Sequence, residues 1–313
     1  MWKKDYVNLM YPKNNEDVKI DEAIKLKYQH LPSALFKYRG VSKYSIENLK
    51  NDEVWFNQAA NFNDPYECAL MLGSYSEQVA MVGAYENIKN LGGNLPRIPE
   101  VMELEKASFE FCKLWFGESD MMEIDFKKQY RLHKGEYQEN INQRVDKMIK
   151  ELQQKMNIAC FSEVNDSILM WSHYANNHEG FCIEYDFKKE GRKEKIVDEL
   201  QPVIYQDEVF NIGEYFKQTL IEPGKFNKLV EKYAVIIKSV EWKYEKEWRI
   251  ILECNKGKGF SRELFKPESI YLGAKMSNTN KEEIVNIATQ KNIKVFQMRM
   301  RNNEYKLYPE RIL

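Results

Sequence analysis

The sequence predicts an α+β protein with a mixed or antiparallel core sheet and a large helical insertion. Short segments rich in β-branched and aromatic residues occur near the start of the chain and again in its second half. Between them, residues 75–156 are rich in Glu, Lys, Gln, Leu and Met, which favour helices. We therefore divide the chain into an N-terminal arm (1–30), a core domain (31–74 with 157–313) and the insertion (75–156).

Composition and charge exclude several classes of protein. The chain has 313 residues with 47 Lys+Arg against 48 Asp+Glu, which argues against a protein whose main role is to neutralise many phosphates. It has no run of about 18 apolar residues and no apolar segment behind its N-terminal lysines, so we expect neither a membrane span nor a signal peptide. The five cysteines are widely spaced without a Cys-x-x-Cys pair, which predicts reduced thiols in the cytoplasm and no bound metal.

The first 74 residues predict two strands and two helices. The arm has one predicted helix, at Glu22–Tyr28, and the first strand covers residues 34–40. Ser42 is the expected N-cap of a helix over residues 43–50, with Ile46 and Leu49 on its apolar face. The second strand follows at residues 54–57.

The insertion contains a periodic apolar pattern that is typical of one face of a long helix. Its members are separated by three or four residues: Tyr137, Ile141, Val145, Met148, Leu152 and Met156. Strand patterns return after it. The chain closes with a predicted hairpin of residues 293–298 and 304–307.

Polar residues follow the first two predicted strands. Arg39 ends the first strand, where its planar guanidinium can bind a carboxylate or a diphosphate, and a surface ion pair is the structural alternative. Asn63, Asp64 and Pro65 have the residue types of a turn, with Glu67 just beyond them. In a functional role, this loop would form one wall of a ligand cleft.

A second group surrounds the first strand after the insertion. Ser162 ends that strand, and a short predicted helix over residues 167–175 carries Trp171, His173 and Tyr174. His173 has the ordinary pKa range of a general base, but no G-x-S-x-G elbow accompanies it. A packing role is the alternative for His173, and we expect Trp171 and Tyr174 to face the core.

Glu245 and Glu247 are separated by one residue, so on a strand their side chains would point to the same side. Two carboxylates held close together can bind a sugar hydroxyl, orient a nucleophile or stabilise an oxocarbenium-like centre. The alternative is a solvated sheet edge on which charged residues alternate with Trp248 and its neighbours.

Over nearly its whole length the chain resembles an uncharacterised bacterial family, the domain of unknown function 2971. Six segments carry this resemblance: Leu35–Arg39, Phe62–Glu67, Cys160–Glu163, Met170–Ala175, Gly180–Tyr185 and Trp242–Arg249. Members of that family are met near mobile or defence-related genes. The resemblance therefore implies a role in defence or as a toxin effector.

The order Arg39, Ser162, Glu245-x-Glu247 also resembles the Arg-Ser-Glu class of ADP-ribosyltransferases. Those enzymes carry an Arg on the first strand, a Ser-Thr-Ser strand and a Glu-x-Glu pair entering a late strand. Only one serine of that triplet is present here. The resemblance implies that the core sheet is like that of these transferases and that NAD is the co-substrate.

This second resemblance implies a role for each residue. Arg39 would contact the diphosphate or ribose, and Ser162 would position Glu247. Glu247 would hold the ribose 2′-hydroxyl and stabilise the oxocarbenium, while Glu245 would orient a protein or nucleic-acid acceptor. His173 is a further candidate catalytic residue. The expected NAD-binding residues are Tyr38, Arg39, Asn63, Asp64, Trp171, Tyr174 and Arg249.

Two other classes of function remain open. One is a metal-dependent nuclease or hydrolase, since Mg²⁺ needs only one or two carboxylates plus substrate phosphates. Its candidate ligands, which have no characteristic spacing, are Asp64, Glu67, Glu184 and Asp186. The other is a non-catalytic sensing or interaction module of a defence system, with a protein partner on the insertion. In that case Arg39 or Arg249 would pair internally with the two glutamates and leave no open cleft.

Overall fold

The computed structural model describes residues 2–73, 139, 142–143, 145–190, 195–215, 227–254 and 258–313. The helices are α1 Trp2–Met10, α2 Ile20–His30, α3 Lys43–Lys50, α4 (described over 145–155), α5 Ile168–Tyr174, α6 Phe187–Glu190, α7 Lys195–Asp198, α8 Val230–Ile236 and α9 Asn278–Lys291. Three 3-10 turns cover Asn15–Asp17, Ala59–Asn61 and Val240–Glu245.

The described residues also contain fourteen strands. They are β1 Leu35–Arg39, β2 Glu53–Gln58, β3 Leu70–Met71, β4 Met156–Ser162, β5 Phe181–Tyr185, β6 Leu200–Pro202, β7 Ile204–Gln206, β8 Phe210–Asn211, β9 Ile237–Ser239, β10 Glu247–Glu253, β11 Phe260–Glu263, β12 Ser269–Leu272, β13 Lys294–Met300 and β14 Leu307–Arg311.

Ten strands form one sheet. Eight of them follow the order β11-β2-β4-β1-β5-β12-β13-β14, and β10 pairs with both β4 and β6. The pairing of β12 with β13 is parallel, and the other pairings recorded in this sheet are antiparallel. The predicted α+β class with a mixed, mostly antiparallel sheet is therefore confirmed.

β4 is the strand at which the sheet divides. On one side it pairs along its whole length with β10, which places Ser162 opposite Glu247. On its other side its first half pairs with β2, and β1 reaches it only where Phe36 lies opposite Ser162. In the gap between β1 and β2, Lys37 Nζ donates to the carbonyl of Cys160 at 3.1 Å. A lysine side chain thus satisfies an acceptor that no strand backbone reaches.

Helices cover both faces of the sheet. One face, which includes Phe161 and Trp248, packs against apolar residues of α3 and α9. Over β4 and β10, the opposite face packs against α1, α2 and α8. Over β1, β5 and β12, that same face packs against Trp171 of α5. The two faces of the sheet thus belong to different layers of the core, which decides which side chains can meet.

The start and the buried face of α3 match the prediction. Ser42 Oγ accepts from the backbone N–H of Ser45 at 3.1 Å, and Ser45 Oγ accepts from the N–H of Ser42 at 2.8 Å. This reciprocal cap satisfies two of the free N–H groups of the first turn. Ile46 and Leu49 are both buried, as their spacing predicts. β13 and β14 form the predicted C-terminal hairpin, but its second strand covers Leu307–Arg311 and not residues 304–307, because Met300 pairs with Leu307.

The first 30 residues differ from the predicted arm with one short helix. They form α1 and α2, in which Tyr6 and Ala23 are completely buried. Lys27 is also buried, because its Nζ donates to the carbonyls of Val197, Asp198 and Leu200. The sequence predicts an arm separate from the core domain, but these long-range partners allow a lysine of this segment into the core.

Most of the predicted insertion lies outside the described residues, so it remains a prediction. This includes Tyr137 and Ile141 of the periodic pattern. Val145, Met148 and Leu152 lie on α4 and pack against the core. Met156 is the first residue of β4, not of the helical face, because it pairs with Glu253 of β10.

Two further features concern the described residues alone. None of their helices combines the length and the apolar composition needed to cross a membrane. Their cysteines, Cys68, Cys160, Cys182 and Cys254, are free thiols.

We expect the Ser42→Ala substitution to lower the free energy of unfolding by about 1 kcal/mol, because it removes one half of the α3 cap. Urea denaturation measures this loss. The control is Ser33→Ala, at an exposed serine, where a change within about 0.5 kcal/mol is expected. Equal effects of the two substitutions would show that the cap contributes nothing specific.

Candidate functional site

Arg249 is the centre of a buried charged network. Its side chain, on β10, is 0% exposed. Its two terminal nitrogens bind the Glu67 carboxylate at 2.5 and 3.1 Å, and its Nε and Nη2 bind Glu247 at 2.8 and 3.2 Å. Nη1 also donates to the carbonyl of Val235 at 2.5 Å. These contacts use all five N–H groups of a guanidinium.

Lys238 joins this network to the second glutamate. Its Nζ donates to Glu245 at 2.5 Å and to Glu247 at 3.1 Å, and it lies 4.6 Å from the centre of the Trp242 ring. We call Glu67, Lys238, Glu245, Glu247 and Arg249 the carboxylate network. Its three carboxylates exceed its two cations by one charge.

The two glutamates do not both lie on a strand, as their spacing predicts, but their carboxylates still lie close together. Glu245 ends the 3-10 turn, Lys246 has a positive φ of 45°, and Glu247 begins β10. The reversal at Lys246, an uncommon conformation for a residue with a side chain, turns both carboxylates toward Lys238. Ser162 Oγ fixes this turn to β4, since it donates to the carbonyl of Glu245 at 2.6 Å. Ser162 therefore holds the Glu-x-Glu segment, although through Glu245 and not through Glu247.

Four exposed or partly exposed residues lie near Glu245, and we call them the rim: Asn63, His173, Tyr174 and Tyr244. The hydroxyl of Tyr174 donates to Glu245 Oε1 at 2.6 Å, and Asn63 hydrogen-bonds the same hydroxyl. His173 is exposed, and its Nδ1 lies 3.2 Å from the hydroxyl of Tyr244. Four residues from three separate segments are thus connected to this buried carboxylate, directly or through one another.

The pKa values of the two glutamates shift in opposite directions. Burial, strengthened by the charge of Glu247, raises the pKa of Glu245. Burial acts in the same sense on Glu247, but the cations of Arg249 and Lys238 outweigh it and lower the pKa. The same carboxylates overcome burial at Lys238 and raise its pKa to about 12. Glu247 is therefore held ionised, and the proton of the pair resides more readily on Glu245.

Arg39 lies away from the network. Phe36 and Ser162 are paired, so they share one face of the sheet with Glu247. Arg39 is three residues beyond Phe36 on β1 and therefore points to the opposite face. Burial lowers its pKa. The structure thus brings Ser162 and Glu247 together but does not bring Arg39 to them.

Three other predicted binding residues have packing or turn roles. Tyr38 is buried, donates to the carbonyl of Val164 at 2.8 Å and packs edge-on against Trp171. Trp171, which lies on α5, is completely buried. Asp64 accepts from the N–H of Tyr66 at 2.9 Å, which makes the predicted turn. This turn carries Glu67 to Arg249.

The carboxylates considered as metal ligands of a nuclease or hydrolase have separate hydrogen-bond or ion-pair partners. Glu67 binds Arg249, whereas Glu184 accepts from the hydroxyl of Tyr271 at 2.7 Å. Asp186 accepts from the N–H groups of Lys188 and Lys189. Within the described part of the chain, no three His, Cys, Asp or Glu side chains are grouped so that they could hold a metal ion.

Sequence reasoning missed two members of the site. Lys238 is a single lysine within the apolar stretch 234–240, which was a usable signal for a buried charge that needs partners. Tyr205 gave no such signal, yet its hydroxyl accepts from the N–H of Glu247 at 2.8 Å. Glu67 was considered as part of a cleft wall and as a metal ligand, because nothing local indicates its pairing with Arg249.

Comparison with known proteins covers part of this site. A family model described as "Protein of unknown function (DUF2971)" matches residues 170–250, from α5 into β10. The resemblance is thus found in this segment and not over nearly the whole chain, since Leu35–Arg39, Phe62–Glu67 and Cys160–Glu163 lie outside it. No curated protein and no solved structure shows significant similarity to the chain. The resemblance to ADP-ribosyltransferases has no support from these comparisons.

We expect Arg249→Met to lower the free energy of unfolding by about 3–5 kcal/mol, since it leaves two buried carboxylates without their shared cation. The control is Arg299→Met, whose ion pair with Glu310 is about half exposed. That change should cost less than about 1 kcal/mol. Chemical denaturation compares the two, and a similar cost for both would contradict a structural role for the carboxylate network.

Glu245→Gln and Glu247→Gln should change the pH dependence of stability in opposite senses. The folded-state pKa of Glu245 lies above its ordinary value of 4.5, so its stabilising contribution is present below pH 4.5 and is lost as the pH rises through the folded pKa. The folded-state pKa of Glu247 lies below 4.5, so its contribution is present above that pH and is lost as the pH falls. Urea denaturation at several pH values measures both. Parallel curves for the wild type and both variants would rule out these shifts.

Proposed function

We propose that the protein is an enzyme that breaks the N-glycosidic bond of a nucleotide-type ligand, with NAD as the first candidate. The observation that supports this is the pairing of Glu245 and Glu247 on one Lys238 Nζ with pKa values shifted apart. Glycosidases use two carboxylates with separated pKa values. Nicotinamide leaves NAD as a neutral ring, so here Glu245 would take the proton of the water that attacks the ribose carbon, while Glu247 stays charged.

Glu245 is the carboxylate we assign to acid–base chemistry. It contacts Tyr174, whose ring reaches the partly exposed rim beside His173. Both oxygens of Glu247 already accept from Arg249, so in this proposal Glu247 positions the cations and tunes the pKa of Glu245. This differs from the roles that the transferase resemblance implies, in which Glu247 contacts the ribose.

The rim supports binding of a planar base. His173, Tyr174 and Tyr244 present aromatic surfaces next to Glu245, and such surfaces stack on nicotinamide or another base. The fit to NAD is incomplete, because Arg39 lies on the opposite face and does not serve its diphosphate. The proposal therefore gives Arg39 no role. Transfer to a protein or nucleic-acid acceptor, in place of water, is the form of this reaction that a toxin or defence effector would use.

The test is nicotinamide release from NAD by the purified protein. Glu245→Gln should reduce the rate at least 100-fold, the size of effect typical of a lost acid–base group. The matched control is Glu241→Gln, an exposed glutamate on the same 3-10 turn, which should leave the rate unchanged. Equal rates for the two variants would remove Glu245 from the mechanism.

A non-catalytic module is the second candidate, and one observation favours it. Arg249 uses all its donors within the carboxylate network, and Glu245 and Glu247 are buried, as expected of an internal network that serves the fold. A folded wild-type protein that neither binds NAD in calorimetry nor releases nicotinamide would overturn the enzymatic proposal and support this one.

A further inference from the structure

A cavity of about 480 Å³ lies beside β13 and β14, at one end of the strand order and away from the carboxylate network. Its walls come from the end of α6, the loop before β12, the last turn of α9 and the end of β14. The volume is within the range of about 300–1,000 Å³ found for small-molecule sites. Because β1, β5, β12 and β13 separate β4 from β14, this cavity and the carboxylate network are distinct sites.

Cations outnumber carboxylates in this cavity. Four basic side chains line it, Lys189, Lys266, Lys294 and Arg311, with the two acidic side chains Glu190 and Glu268. The chain as a whole has a net charge of −1. The positive excess is therefore local and not a property of the entire surface.

One of the two carboxylates is paired with one of the four cations. Lys189 Nζ binds Glu268 at 2.5 Å. Arg311 Nε donates to a main-chain oxygen of Leu313 at 2.9 Å. Among the residues that the structure describes, no carboxylate lies within ion-pair distance of Lys266 or Lys294.

Buried apolar residues form part of the same lining. Pro267 and Ile293 are buried next to the exposed Lys266 and Lys294. A ligand that matches this arrangement carries a polyanionic group that binds the cations. It also carries an apolar or planar part that packs against Pro267 and Ile293, which we call the apolar floor. A nucleoside diphosphate has both, and a guanidinium and two ammonium groups suit its phosphate oxygens.

We propose that this cavity binds a small phosphate-bearing anion of the size of a nucleoside diphosphate. The site depends on Lys266, Lys294 and Arg311 and is independent of the proposed chemistry at Glu245. Since its cations are exposed, binding weakens as ionic strength rises.

Calorimetry with inorganic pyrophosphate and with ADP at low ionic strength tests this proposal. The double variant Lys266→Gln/Lys294→Gln should bind both at least tenfold more weakly than the wild type. Lys266→Arg/Lys294→Arg should keep the affinity. These side chains are exposed, so thermal unfolding should show that all the variants fold. A stronger interaction with ADP than with pyrophosphate would support a contribution of the apolar floor.

A matched control removes the same charge elsewhere. Lys4→Gln/Lys25→Gln changes two exposed lysines of α1 and α2 and should bind both probes like the wild type. No saturable binding by the wild type, or an equal loss in this control, would overturn the proposal. Pyrophosphate binding is measured without any NAD cleavage, so a failure of the enzymatic proposal leaves this result unaffected.

Discussion

The buried guanidinium of Arg249 is the constraint on which the site depends. A charge that water cannot reach must find acceptors for all five of its N–H groups, and here they come from three segments of the chain. Glu67 is 182 residues away from it in sequence, and Val235 precedes the strand that carries it. The network therefore ties the turn after β2, the end of α8 and the start of β10 to one point. Removal of one charged side chain leaves its partners buried and charged.

This requirement explains why the Glu-x-Glu segment is so closely held. Ser162 of β4 binds the carbonyl of Glu245, and Tyr205 accepts from the N–H of Glu247. The left-handed conformation at Lys246 is maintained between these two contacts. The same geometry that satisfies Arg249 gives Glu245 and Glu247 their opposite pKa shifts. Stability and candidate chemistry thus have a common origin in the surplus carboxylate of the network.

Local features of the sequence were good guides wherever the cause was local. The cap at Ser42, the turn at Asp64 and the pairing of β13 with β14 all follow from side-chain spacing or turn chemistry. The predictions that were wrong concerned polar side chains whose burial depends on partners far away in the sequence. Lys27 is the clearest case, since carbonyls about 170 residues away make its burial possible.

The sequence by itself determined the α+β class and most elements around the site, and it indicated Ser162, Tyr174, Glu245 and Glu247 as candidate site residues. Only the tertiary structure decided that Arg249 and Lys238 hold the carboxylates and that Arg39 lies on the other face. The physical reason is the pairing of strands. The order of residues along a chain does not state which strands become neighbours or in which register. A shift of one residue reverses the face to which a side chain points. Ion pairs between distant segments exist only once that register is set.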